Sequence, residues 1–136
     1  MPLPARRPAW VLLVCALFAW SAACGSTPSS PSAPPVTDTL TGVLSPTNLN
    51  AHQFSASAGG DVTITLVTLT PPVTAVGMGI GAVSNGSCSI QFTNSPFVAG
   101  EVWQTSLAAS GTYCIAIYDI GYLTQNENYS ITVVHP

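Results

Sequence analysis

The sequence predicts an all-β protein, an antiparallel β-sandwich of seven or eight short strands. Three observations carry this. Beyond residue 38 apolar residues recur at every second position, the period that turns one row of a strand inward. Clusters of Gly, Pro, Asn and Ser cut these runs into short pieces, as turn residues do between strands. No run in this region repeats apolar residues at helical spacing, so a helical layer has nothing to build it.

The elements follow in order. Residues 39–44 form a short strand that stops at Ser45-Pro46-Thr47. Residues 51–57 follow, with Phe54 and Ala56 on one face. Ala58-Gly59-Gly60-Asp61 turns into 62–69, where Val62, Ile64 and Leu66 alternate with Thr63, Thr65 and Val67, and Pro71-Pro72 ends the run. In the next strand Val76, Met78, Ile80 and Ala82 alternate with Gly77, Gly79 and Gly81, so that the glycine row predicts a shallow, bare face. Asn85-Gly86 marks a tight hairpin, because both central positions of such a turn need positive φ. It leads into 87–92, with Cys88, Ile90 and Phe92 on one face. Strands over 101–107, 112–118 and 127–134 complete the domain, the last with Tyr129, Ile131 and Val133 in step.

The chain has 136 residues, 47% of them hydrophobic and only 5% charged. That length suits one domain with appendages. Both basic residues, Arg6 and Arg7, stand at the N-terminus, and no Lys or Arg follows. Nucleic-acid binding is thereby excluded, since it needs cations to displace phosphate counterions. A lysine-dependent phosphate loop is excluded for the same reason.

Residues 1–23 read as a signal peptide: the two arginines, an apolar run over 9–20, then Ser21-Ala22-Ala23. The run is shorter than the ~20 residues a membrane span requires. With Cys24 next, Ser21-Ala22-Ala23-Cys24 resembles the lipobox of bacterial lipoproteins, whose cysteine takes a diacylglyceryl group and becomes the mature N-terminus. Ser21 departs from the aliphatic residue usual there. An ordinary secretory signal cleaved near Ala23 is the alternative. The resemblance implies lipid attachment at Cys24 and a membrane-anchored, extracytoplasmic protein. Gly25 replaces the aspartate that retains some lipoproteins at an inner membrane, which favours the outer membrane or cell surface. Residues 24–37 are then a flexible linker, almost wholly Gly, Ser, Thr, Pro and Ala, with a reach of roughly 40 Å at ~3.1 Å per residue. Residues 38–136 are the folded domain.

Several pieces of that domain, in order, carry a second likeness. Leu44-Ser45-Pro46, His52-Gln53-Phe54, Gly60-Asp61-Val62-Thr63-Ile64, the stretch 111–119 opening Gly111-Thr112-Tyr113-Cys114-Ile115, and Tyr129-Ser130-Ile131-Thr132-Val133 together resemble the bacterial pre-peptidase C-terminal domain. The resemblance implies an eight-stranded, jelly-roll-like sandwich of secreted proteins without catalysis of its own. Residues 75–83 lack the carboxylates common in that family's fourth strand, so no calcium site is carried over.

Of the four cysteines, Cys15 lies in the signal and Cys24 in the lipobox. Cys88 and Cys114 remain, and in an exported chain they read as one disulfide. Two separately buried thiols are the alternative.

Candidates for chemistry are few. His52 and His135 are the only histidines, too few for a zinc site with three or four ligands, and no His or Met follows Cys114 closely as a copper site requires. There is no Gly-x-Ser-x-Gly elbow. Asp61, Glu101, Asp119 and Glu127 all sit at strand ends, where acids serve solubility. No catalytic residue, metal or cofactor is therefore expected. Binding is the remaining class: contacts with another envelope protein or support of a surface assembly or, alternatively, recognition of a glycan or peptide at the cell surface. Trp103 and Tyr122 are the candidate ligand-binding residues, because sugar-binding sandwiches stack rings on exposed aromatics. Against that, the alternation around Trp103, Tyr113 and Tyr129 also suits aromatics that fill a core.

Overall fold

A computed structural model describes residues 34–72 and 75–136 of the chain. The expected signal peptide, Cys24 and most of the expected linker lie outside the described residues. Eight strands form: β1 (Val36–Leu44), β2 (Leu49–Ala56), β3 (Gly60–Thr70), β4 (Val76–Ser84), β5 (Ser87–Phe97), β6 (Val102–Leu107), β7 (Gly111–Tyr118) and β8 (Glu127–His135). They make two four-stranded sheets, ordered β1-β8-β3-β6 and β2-β7-β4-β5, with every pairing antiparallel. This order is a jelly roll. The β4–β5 connection alone stays within a sheet, and its turn is the expected hairpin, with φ of 51° at Asn85 and 77° at Gly86.

Outside β5, the inward rows are those the alternation marks. Val62, Ile64 and Leu66 of β3 lie beside Ile131 and Val133 of β8, facing Val76, Met78, Ile115 and Ile117 of the other sheet, all buried. Burying such side chains is worth roughly 1.5–3 kcal/mol each, which is why period 2 decides which way each strand faces.

Three sequence expectations need correction. The strand β1 begins at Val36, paired with His135, so the last two residues assigned to the linker belong to the sheet. The glycine row of β4 is not bare. Tyr118 covers Gly77, Ile90 covers Gly79, and the Ser89–Ile90 backbone lies against Gly81. Cys88, Ile90 and Phe92 do not share a face. Ile80 pairs with Phe92 and Gly81 with Ile90, which leaves Gln91 as one extra residue in β5. Such a bulge flips the side-chain row. Ile90 therefore stands over the glycines outside, while Phe92 joins Ile80 on the inner side. The strand also runs to Phe97, five residues beyond its expected end, through a second irregularity between Val76 and Met78.

The predicted disulfide is formed. Cys88 of β5 and Cys114 of β7 are bonded, with Cα atoms 5.8 Å apart, although β4 lies between their strands. The curl of β5 over Gly81 brings the two cysteines together.

Candidate functional site

Two sheets stacked in this order leave two seams, one between edge strands β1 and β2, the other between β5 and β6. Their chemistry differs sharply.

The β1/β2 seam is closed by polar side chains. The Tyr129 hydroxyl shares a 2.6 Å hydrogen bond with Nε2 of His52 and accepts one of 3.2 Å from Asn50 Nδ2. Asn50 Nδ2 also donates to the Val43 carbonyl at 2.7 Å. Burial lowers the pKa of His52 and raises that of Tyr129, because both charged forms lose hydration there. Further along, His135 is 2% exposed. Its ring lies 4.8 Å from that of Phe54, with Nε2 3.1 Å from the Asp38 carboxylate.

The β5/β6 seam is open. A cavity of about 430 Å³ enters it, lined by Ile80 and Ala82 of β4, Gln91 and Phe92 of β5, Ser106 and Leu107 of β6, and Tyr113 of β7. Phe92 stands at its mouth, 59% exposed, placed there by the bulge at Gln91. Tyr113 forms a wall, stacked on Phe54 at 5.9 Å and donating its hydroxyl proton to the Ala109 carbonyl at 2.8 Å. On the outer face of β3 and β6 a second, polar groove of about 470 Å³ is lined by Asp61, Thr63, Gln104 and Ser106. Ser106 borders both hollows. The seam thus sets an apolar pocket with an aromatic at its mouth next to a polar groove bearing one carboxylate, features that ligand-binding clefts combine.

The residues singled out from the sequence lie elsewhere. Trp103 is half-buried in the inward row of β6 and packs against the core. Tyr122 is 54% exposed, in the loop between β7 and β8. Neither lines the seam cavity. That loop is organised by Asp119, whose Oδ1 accepts the backbone N–H groups of Gly121, Tyr122 and Leu123 at 2.7, 3.0 and 3.1 Å. Its Oδ2 accepts that of Thr47 at 2.9 Å. These donors, Thr47 first, hold the Asp119 pKa below its ordinary value. Asp119 is thus a loop clasp, a role beyond the solubility expected of it. Glu127 is 1% exposed, also contrary to a purely surface role. Its Oε2 has no hydrogen-bond partner among the described residues.

No local motif in the sequence marks the seam residues. The signal for Phe92 was an apolar residue on an edge strand, but its facing depends on a bulge that no local motif announces.

No protein-family model matches the chain, and no curated protein matches it. Among solved structures it is similar to PliG of Aeromonas hydrophila, a periplasmic lysozyme inhibitor of g-type lysozyme, at 18% identity and a TM-score of 0.51. The match covers 73% of this chain and 86% of that one. At this identity the likeness is one of fold.

Proposed function

We propose that this chain is a non-enzymatic envelope domain that works by binding another protein, tethered to a membrane by a lipid on Cys24. The observation that carries the binding role is the open β5/β6 seam, which presents an apolar pocket and unpaired strand edges to solvent. Surfaces of that kind mark interaction sites. The leader and the Cys88–Cys114 disulfide support an oxidising, extracytoplasmic compartment. The fold shared with a periplasmic inhibitor protein is in keeping with this. A pre-peptidase C-terminal character belongs to the same reading, on the ordered motifs from Leu44 to Val133, as does an outer-membrane or surface location.

The test is a photo-crosslinker placed at Phe92 in the full chain, expressed in its own envelope, with the same group at Tyr122 as a control. A discrete protein adduct from Phe92 is the expected result; none from either position overturns a protein-binding role. Purified chain added to a g-type lysozyme in equimolar amount checks one partner class directly. Mass spectrometry of the mature N-terminus tests the lipid.

A second reading, glycan binding, is favoured by one observation: the polar groove of Asp61, Thr63, Gln104 and Ser106, which shares Ser106 with the cavity that Phe92 borders. Glycan-array binding that is lost in Phe92→Ala would support it. Loss confined to Trp103→Ala or Tyr122→Ala would move the sugar to those residues.

A further inference from the structure

We propose that the free edge of β6 accepts an extended, basic segment of a partner protein as an added strand, one of whose apolar side chains fills the cavity beside Phe92, Leu107 and Tyr113. This rests on the protein-binding reading above and supplies its surface and its chemistry.

The backbone geometry decides which edge is available. β6 ends its sheet, paired only with β3. Leu66 of β3 turns both its N–H and its C=O toward the β5–β6 connection, bonding the Glu101 carbonyl and the Gly100 N–H. Orientation alternates along a strand, so Ile64 and Val62 also face β6, and their partners Trp103 and Thr105 answer them. Val102, Gln104 and Ser106 therefore point their backbone donors and acceptors away from the sheet. Native edges are blunted by lysine, proline or bulges. β6, with the sequence VWQTSL, has none of these and keeps a continuous register with β3. β5, across the seam, has Pro96 and two register shifts, which bar regular pairing. The sandwich thus leaves one straight, unguarded edge beside its cavity.

An added strand would alternate its side chains between two hollows. One row would enter the apolar cavity; the other would lie beside Gln104 and Ser106, from where a long side chain reaches toward Asp61 on β3. This is the division seen in strand-addition recognition, where backbone bonds supply affinity and pockets supply selectivity. Charge chooses the partner. The folded domain holds Asp38, Asp61, Glu101, Asp119 and Glu127, with no Lys or Arg after Arg7, and Asp61 lines the outer hollow. A segment with Lys or Arg in its outward row complements that surface. A second copy of this chain brings the same sign of charge and no cation.

The experiment uses the full-length chain in neutral detergent and three blocked peptides: Lys-Val-Lys-Leu-Lys-Val-Lys, its Glu-for-Lys counterpart, and the basic peptide with proline in place of leucine. The basic peptide is expected to bind at least about tenfold more tightly than the other two. Gln104→Pro removes an outward N–H without touching a β3 bond, and Phe92→Ala opens the cavity mouth at an exposed position. Each should weaken binding about tenfold, while Tyr122→Ala leaves it unchanged. Equal binding of basic and acidic peptides, or full binding by Gln104→Pro, overturns the proposal. So does a dimer in light scattering that Gln104→Pro dissolves, since that assigns the edge to a second copy. A protein adduct from Phe92 without peptide binding sinks the strand-addition claim and leaves the protein-binding reading standing; neither adduct nor peptide binding removes both.

Discussion

Tyr129 of β8 reaches from one sheet to the other and ends 2.6 Å from Nε2 of His52 on β2. The crossing is possible because Gly42 of β1 carries no Cβ, which would collide with the Tyr129 hydroxyl and ring. One seam of the sandwich is thereby tied shut with hydrogen bonds, and the other is left open.

Tyr129→Phe keeps the ring and deletes the tie. His52 and Asn50 each lose a partner in a half-buried place, so the cost should be about 1–2 kcal/mol. For a domain of this size that is a fall in Tm of very roughly 4–16 °C. Thermal unfolding checks it, and an unchanged Tm would show that the tie contributes nothing.

The same contact makes stability depend on pH. Burial lowers the His52 pKa from its ordinary 6.5, so below that value the unfolded chain takes up a proton before the folded one. Stability should therefore be full above about pH 6.5, decline as pH falls toward the lowered native value, and then level off. Asp119 acts in a separate window: its pKa is lowered from 3.8, and its contribution is lost only as pH falls through its folded-state value. His52→Gln should flatten the upper slope and leave the lower one. Denaturant titrations at several pH values separate the two, and an upper slope that persists in His52→Gln would assign it to another group.

Gly81 should be intolerant of a side chain. The Ser89 carbonyl lies where its Cβ would stand, so Gly81→Ala must lift β5 and carry Cys88 away from Cys114. The expected outcome is a rise in free thiol in the purified protein and a loss approaching the ~3–4 kcal/mol that a cross-link of this loop length provides. Thiol labelling under native conditions reads it. Complete oxidation with an unchanged Tm would show that the hairpin adapts.

Asp119→Ala should release the β7–β8 loop without unfolding the sandwich. The amides of Gly121, Tyr122, Leu123 and Thr47 lose their shared acceptor. Their hydrogen exchange should quicken while that of Ile131 and Val133 in the core holds. Protection that survives at all four sites would mean the loop is held by other contacts.

How much of this could be read in advance depended on the range of the interaction. Val62, Ile64 and Leu66, Asn85-Gly86 and the Cys88–Cys114 pair were legible, since an alternation, a two-residue turn and a count of the cysteines beyond the N-terminal stretch are local or compositional signals. Phe92 does not share a face with Cys88 and Ile90 as the alternation implies, because the bulge at Gln91 exists only through pairing with β4. Trp103 and Tyr122 are unusual residue types, yet packing puts one against the core and leaves the other on a loop clasped by Asp119. The seam cavity draws on four strands at once, and none of them carries a motif for it.

The sequence alone determined an all-β chain, its rhythm of seven or eight strands, the inward rows outside β5 and the absence of Lys and Arg from the folded part, because period, turn chemistry and composition act over a few residues. The tertiary structure decided which strands became edges and which seam closed. Those outcomes depend on the order in which strands stack and on bulges that arise only between paired backbones, and no single segment encodes them.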